Sequence, residues 1–378
     1  EAGGGGDDDE VVAPLKSRRS QSSPAAAWGR AGSKVNAASA LAAPSPKVDA
    51  ARQLDAAHVV YEPALNEDMA ATAVWGTQQL NLYPDATKQG VFAMWYGKGP
   101  GVDRSGDVFK HGNLAGTSPH GGVLLLAGDD HTCKSSTTAH QSEYAFVDAM
   151  IPVLNPAGVQ EFLDLGIYGW AMSRYSGCWV AYKTVAETVD SSASVHVDPH
   201  RVQVSLPTDF MMPEDGLNIR WPDDFLAQEE RLHKHKLYAA LAFARTNRLD
   251  KTVIDSPKKH LGIVTTGKSY LDVRQALDDL GISEEMAVDI GISIYKVAMP
   301  WPLEREGARA FAEGMEEILV VEVLQQGAPH RRGMRRQTRP YPNVAAESRL
   351  CRKAADVNDF RAFTDRHMNG STRAISQI

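Results

Sequence analysis

Cysteine is scarce in this sequence: Cys133, Cys178 and Cys351 are its three cysteines, far apart, and no pair has the C-x-x-C spacing of a metal or redox site. Neither a disulfide framework nor a cysteine-ligated zinc or iron-sulfur centre can be written from them, which points to a reducing, cytoplasmic setting. Long apolar runs are absent as well. Nothing approaches the roughly 18 residues of a membrane span, and the N-terminus has neither the charged nor the apolar region of a signal peptide. A soluble protein with no membrane partner is expected. A G-x-S-x-G elbow and any internal repeat are also missing, and Gly97, Gly99 and Gly101 do not match G-x-x-x-x-G-K-[ST].

What is present is unevenly distributed. Eleven Lys/Arg against four Asp/Glu follow residue 322, a local charge of +7 that leaves −14 for residues 1–322 out of the net −7. A basic arm of this kind can serve nucleic acid, but no interleaved aromatics or recognition motif accompany the arginines, so no nucleic-acid partner is assigned. Residues 1–47 include 28 Ala, Gly, Ser or Pro and show no periodicity. This head, and the tail at 323–378 with Pro329, Pro340 and Pro342, are expected to be disordered.

Between the ends, short apolar runs alternate with amphipathic stretches, the texture of a layered α/β protein. Residues 91–96 and 122–127 are apolar, short and bounded by glycine, and read as buried strands. Residues 66–79 read as a helix with Asn66 as N-cap and Glu67 and Asp68 in its positive first turn. Residues 222–248 form the strongest helical stretch and read as a linker. Strands at 261–265, 292–297 and 318–321, with helices between them, predict a small parallel sheet.

Three segments are too polar or glycine-rich for core: residues 65–68, 95–113 and 128–143. The last two begin where strands end, the usual place for ligands in open α/β sheets. Taken alone, each reading has a rival. Gly97, Gly99 and Gly101 suit a phosphate cradle or a flexible turn. Asp129, Asp130, His131 and His140 suit a divalent metal, but their spacing fits no standard ligand set and a solvated loop reads equally, so no metal site is assigned. Ser135 or Ser136 with His140 makes a weak hydrolase dyad.

Several segments in order carry a resemblance: Leu65-Asn66-Glu67-Asp68-Met69-Ala70-Ala71-Thr72-Ala73-Val74-Trp75-Gly76, the stretch from Met94 to His120, Gly128-Asp129-Asp130 with His140-Gln141-Ser142-Glu143, and Val297-Ala298-Met299-Pro300-Trp301-Pro302-Leu303-Glu304. Together, from about Asp49 to Glu322, they resemble the bacterial fused indolepyruvate:ferredoxin oxidoreductases, which depend on thiamine diphosphate. The resemblance implies an α/β fold: a pyrimidine-binding domain at 48–200, a linker with a long helix at 201–257 and a transketolase C-terminal-like domain at 258–322. The activity it implies is oxidative decarboxylation of an aryl 2-oxoacid, indolepyruvate or a close relative, to its acyl-coenzyme A with reduction of ferredoxin.

Under that resemblance Glu67 is the carboxyl group hydrogen-bonded to N1' of the aminopyrimidine, where it favours the imino tautomer that removes the C2 proton of the thiazolium. A carboxyl that shares a proton with a ring nitrogen works best in a dry pocket. The bland alternative is that Glu67 serves the helix dipole. Lys110, His111, Asp129, Asp130, Ser136, His140 and Gln141 are implied to line the cofactor and substrate cleft, each either as a direct contact or as a loop-ordering hydrogen-bond partner.

Parts of the machinery do not appear in these residues. No G-D-G occurs, so the diphosphate and Mg2+ are expected to be held by another domain or subunit, in a homo- or hetero-oligomer. The iron-sulfur centre has no cysteine cluster here, and the opening strand and Gly-rich turn of the family are not recognisable in residues 1–47. A missing central strand would leave an open edge and uncovered apolar faces. Both ends read as out-of-frame or mispredicted extensions around an authentic middle. The expectation is a partial subunit, inactive by itself; the competing one is a non-catalytic relic or interaction module.

Overall fold

The computed structural model describes residues 47–133 and 138–322. The head to residue 46, the tail from residue 323 and Ser136 lie outside the described residues. Helix α1 (Lys47–Ala56) is followed by α2 (Glu67–Thr77), where the Asn66 side chain accepts the Met69 N–H at 2.9 Å as the sequence predicts. Next come β1 (Phe92–Lys98), α3 (Gly99–Arg104), α4 (Gly106–Ala115), β2 (Gly122–Asp129), α5 (Glu143–Asp148), β3 (Val153–Leu154), α6 (Val159–Ser176), β4 (Val180–Val185) and α7 (Ala186–Val189). The four strands form one parallel sheet in the order β1-β2-β4-β3.

Successive residues of β2 point to opposite layers. Val123, Leu125 and Ala127 pack with Trp95, Phe109, Phe146 and Trp179, while Leu124 packs with Met172, Val180 and Tyr182 under α6. Both faces being covered explains why the strand reads as a continuous apolar run. β1 is an edge strand of the described sheet, with Phe92 43% and Tyr96 53% exposed. Beside it the exposed Tyr61 places its hydroxyl 3.1 Å from that of Tyr96.

The second unit begins with α8 (Phe225–Arg231), a π-helical turn at Leu232–Lys236, and α9 (Leu237–Thr246). Far from being a bare linker, α9 supplies Ala240, Phe243 and Ala244 to the layer beneath the first sheet, where small residues let it lie close to α6. After it come β5 (Lys251–Ile254), β6 (Leu261–Thr266), α10 (Lys268–Asp279), α11 (Glu284–Ile290), β7 (Ile292–Val297), α12 (Arg305–Ala312) and β8 (Glu317–Val321). The order is β5-β7-β6-β8, parallel except for β5, which runs antiparallel at the edge. The sequence reading assigned residues 251–254 to the linker and the sheet to be wholly parallel. β5 escaped it because the strand is four residues long and opens with the exposed Lys251 and Thr252, so it has no buried pattern to read.

The two sheets are joined by backbone. Val153 donates to the Trp301 carbonyl at 2.7 Å and Asn155 to that of Ala298 at 2.8 Å, while the Asn155 amide reaches Thr266 Oγ1 at 3.2 Å. The segment Val297 to Glu304 that carries part of the family resemblance is therefore the joint between the units.

Lys236, in the π turn, is fully buried and donates to the carbonyls of Asn113 (3.2 Å) and Leu114 (3.0 Å), satisfying acceptors left over at the end of α4. Burial pushes its ammonium down to about 8, with Arg231 adding to the effect and Cys178 opposing it. Burial pushes the nearby Cys178 thiol up to about 11 from 9.0. The unfolded chain holds the lysine proton to higher pH than the folded chain, so this group makes stability rise from pH 8 upward; the thiol acts oppositely only above 9. Between pH 8 and 9 the urea midpoint is therefore expected to rise by the equivalent of about 1 kcal/mol. Lys236→Met should abolish the rise; an equal rise in the variant would assign the titration to another group.

Candidate functional site at the strand ends

Two clusters form where β1 and β2 end. The first surrounds α3. An ideal Cβ at Gly101 would lie 2.6 Å from Glu67 Cγ, and one at Gly99 only 2.4 Å from His140 Cβ, so these glycines are needed for close approach. They let Glu67 and His140 pack against the start of α3 from two sides. Trp95 Nε1 donates to the Glu67 carbonyl at 2.9 Å, Arg104 pairs with Asp68 at 3.0 Å, and His140 Nε2 lies 2.9 Å from Asp103 Oδ2. The Glu67 carboxyl itself, half-buried, has no ion pair or hydrogen bond to another described residue.

The second cluster is buried and polar. Asp129, last residue of β2, accepts the Ser142 N–H at 2.9 Å and the Ser142 hydroxyl at 2.5 Å. Glu143 forms an ion pair with Lys183 of β4, side chains 2% and 3% exposed, and its Oε2 has no partner among the described residues. Burial, reinforced by the Glu143 charge, pushes the Asp129 carboxyl up to about 6 against the pull of Lys183 and Ser142.

His131 completes the cluster. Its Nδ1 lies 2.7 Å from the His140 carbonyl, an acceptor, so Nδ1 carries the hydrogen and Nε2 is a lone pair with no partner among the described residues. Burial, then Lys183, depresses its pKa and keeps the ring neutral. His131 and Lys183 line a cavity of about 140 Å³ whose opposite wall comes from the end of β6 and the start of α10: Thr266, Lys268 and Ser269, with Asn155 between.

The residues expected to line a cleft are thus divided. Asp129 and Asp130 are buried at the strand end and His140 bridges both clusters, with Gln141 half-buried beside it. Lys110 and His111 belong to neither cluster: they sit on the outer face of α4, half exposed, paired with Asp148 (2.5 Å) and Asp107 (3.6 Å). The segment 95–113 read as a loop because of its glycines, but Gly99-Pro100 opens a helix, where proline's missing N–H is no loss. The sequence reading leaves out Lys183 and weighs His131 only as a metal ligand. A lone lysine within the apolar run Val180 to Val185 was the available signal.

Comparison with known proteins adds to this geometry. The indolepyruvate oxidoreductase domain family matches residues 251–326, a stretch that starts at β5 and takes in the whole second sheet. The indolepyruvate oxidoreductase subunit IorA of Methanothermobacter marburgensis is 22% identical over 274 residues, covering 70% of this chain and 40% of its own length. That of Pyrococcus abyssi is 27% identical over 252 residues, covering 64% and 36%. The chain is thus similar in part to indolepyruvate oxidoreductase subunits, and the matching domain family lies over its second sheet. It spans about 40% or less of the indolepyruvate oxidoreductase subunits it matches. The fold agrees: a 2-oxoglutarate:ferredoxin oxidoreductase from Magnetococcus marinus superimposes with a TM-score of 0.51 at 15% identity, covering 75% of this chain and 54% of that one. Among the described residues no helix is long and apolar enough to cross a membrane, and no group of three His, Cys, Asp or Glu is arranged to hold a metal ion.

The buried ion pair makes a sharp test. Lys183→Met leaves Glu143 as an uncompensated buried charge and should cost about 3–5 kcal/mol in urea unfolding. Combining it with Glu143→Leu should restore most of that loss; a double variant as unstable as the single one would contradict the pairing.

Proposed function

We propose that this chain supplies the pyrimidine side of a thiamine-diphosphate site in an indolepyruvate:ferredoxin oxidoreductase. The observation that carries the reading is the half-buried Glu67 carboxyl, wedged against Gly101 at the strand ends and unpaired by any described residue. An unpaired carboxyl held in a partly dry place is suited to hydrogen-bond the N1' atom of an aminopyrimidine, and the residues present fit that group. Thiamine diphosphate, when bound, supplies an acidic C2–H and an electron sink for decarboxylation.

The chain's own residues have narrower tasks. Glu67 holds the proton at N1'. His140, fixed by Asp103, and the α3 glycines keep its carboxylate in place, and the packed aromatics Trp95 and Phe109 behind it exclude water. Asp129 with Ser142, and Lys183 with Glu143, order the loop that carries His140. The overall reaction is indolepyruvate, coenzyme A and two oxidised ferredoxins giving indoleacetyl-coenzyme A, CO2, a proton and two reduced ferredoxins. Diphosphate and Mg2+, iron-sulfur electron transfer and the contacts to ferredoxin and coenzyme A fall to other parts of the assembly, since no G-D-G and no cysteine cluster occur in these residues. A cytoplasmic setting accords with that chemistry. By themselves residues 1–378 turn nothing over.

Isothermal titration with thiamine diphosphate and Mg2+ tests this, first on the chain alone and then on its mixture with a separately expressed diphosphate-binding domain from a family member. Binding is expected in the mixture alone, and Glu67→Ala in that mixture should abolish H/D exchange at C2. Absence of binding in both cases would favour a non-catalytic relic, and normal exchange in the variant would sink the role of Glu67.

A further inference from the structure

The second unit contains a larger cavity, about 390 Å³, between the C-terminal end of α9, strands β5 and β7, and α12. Its inner wall is acidic. Asp250 Oδ1 accepts the N–H groups of Ala298 (2.7 Å) and Met299 (3.1 Å), and its buried Oδ2 has no partner among the described residues. Glu304, buried, accepts the N–H groups of Glu306 (3.0 Å) and Gly307 (2.7 Å) at the start of α12. Between them stands Tyr295, 3% exposed, whose hydroxyl has no hydrogen-bond partner among the described residues. Gly307 also lines the cavity, and an ideal Cβ there would lie 2.6 Å from that hydroxyl, so the glycine keeps the space before it open. Phe311 stacks on the Tyr295 ring with centroids 5.1 Å apart.

The outer wall carries three cations, Arg245, Arg248 and Lys259, against one exposed acid, Asp255. Arg245 is held by Asp209 at 2.6 Å and reaches Glu304 and Glu306 at 3.5 and 3.4 Å, and Lys259 donates to the Glu313 carbonyl at 2.7 Å. Arg248 is exposed, and it and Lys259 both take positive φ, 49° and 50°, a conformation that costs a non-glycine residue energy. Burial, with Glu304 adding repulsion, pushes the Asp250 carboxyl up to about 7 against the pull of its two backbone N–H groups. The Tyr295 hydroxyl is pushed well above its ordinary value by burial and then by the Asp250 and Glu304 charges, which marks it as lying in a negative field.

We propose that this cavity binds a free α-amino acid, with the ammonium donating to Tyr295 Oη, the carboxylate facing Arg248 and the side chain against Phe311, Ala310 and Ala244. A purely anionic ligand would meet the acidic floor. A simple amine would leave the basic mouth unmatched, whereas a zwitterion answers both. The volume accommodates a large amino acid. The site lies apart from Glu67 and its neighbours, and nothing in the proposed cofactor role requires it.

Titration calorimetry of the purified chain, without thiamine diphosphate, tests the assignment with L-phenylalanine and L-leucine against phenethylamine and 3-phenylpropionate. Both amino acids should bind, and each analogue lacking one charge should bind at least about tenfold more weakly. Tyr295→Phe should weaken L-phenylalanine by about tenfold with an unchanged melting temperature. Should that variant fail to fold, Arg248→Gly relieves the positive φ and removes the mouth charge; it should weaken L-phenylalanine while leaving phenethylamine as it was. No heat from either amino acid at millimolar concentration, equal affinity for phenethylamine, or an unaltered Arg248→Gly would each overturn the proposal. Because the readout uses no cofactor, it can fail while the thiamine-diphosphate reading stands, and the reverse.

Discussion

Two backbone hydrogen bonds, Val153 to the Trp301 carbonyl and Asn155 to that of Ala298, fix how the two sheets meet. β3 is two residues long and lies at the end of its sheet, so its outer amides need partners that its own unit does not provide. The chain from Ala298 to Trp301 supplies them. The amides of Ala298 and Met299 are used in turn by Asp250, which ties the start of β5 to the same crossing. Lys296 adds an ion pair to Glu161 of α6 across the seam and lies 4.4 Å from the Tyr270 ring. With the joint closed, the ends of β2 and β4 face the end of β6 and enclose the smaller cavity, while the larger one forms on the β5 side.

The interior carries more charge than a purely apolar core would, and each charge is handled differently. Lys183 and Glu143 neutralise one another. Arg231 and Asp223 form a bidentate pair at 2.8 and 2.9 Å. Lys236 has carbonyl acceptors in place of a carboxylate, and burial therefore depresses its pKa. For Asp129 the hydrogen bonds from Ser142 would favour the ionised form, but desolvation and the Glu143 charge outweigh them. At Asp129, His131 and Asp250 alike, loss of water shifts the proton affinity more than any single neighbouring charge does, which is why close packing at the strand ends governs the chemistry there.

Much of the architecture was legible because it follows from local chemistry. Asn66 before two acids marks a helix start whatever the fold, and the glycine-bounded apolar runs of β1, β2, β6 and β7 can only be buried strands. The position of the Gly128-Asp129-Asp130 turn at a strand end followed from the same pattern. What was misread had local texture that pointed elsewhere. The glycines of residues 97–101 suggested a loop, whereas two of them exist so that Glu67 and His140 can press against a helix. Residues 237–246 read as a free-standing linker helix, because alanines on a helix do not declare what covers them.

The sequence by itself determined the α/β character and the resemblance to the indolepyruvate:ferredoxin oxidoreductases, since these rest on short-range patterns and on the order of segments. Only the tertiary structure decided which polar residues share a site. Lys110 and His111 turned out to face outward from α4, while Lys183, 40 residues beyond Glu143 in the chain, became its buried partner. Asp250, Tyr295 and Glu304 likewise meet at one wall although the chain separates them. Pairing of this kind depends on strand order and on the loss of water at particular atoms, and neither is written in the neighbours of a residue along the chain.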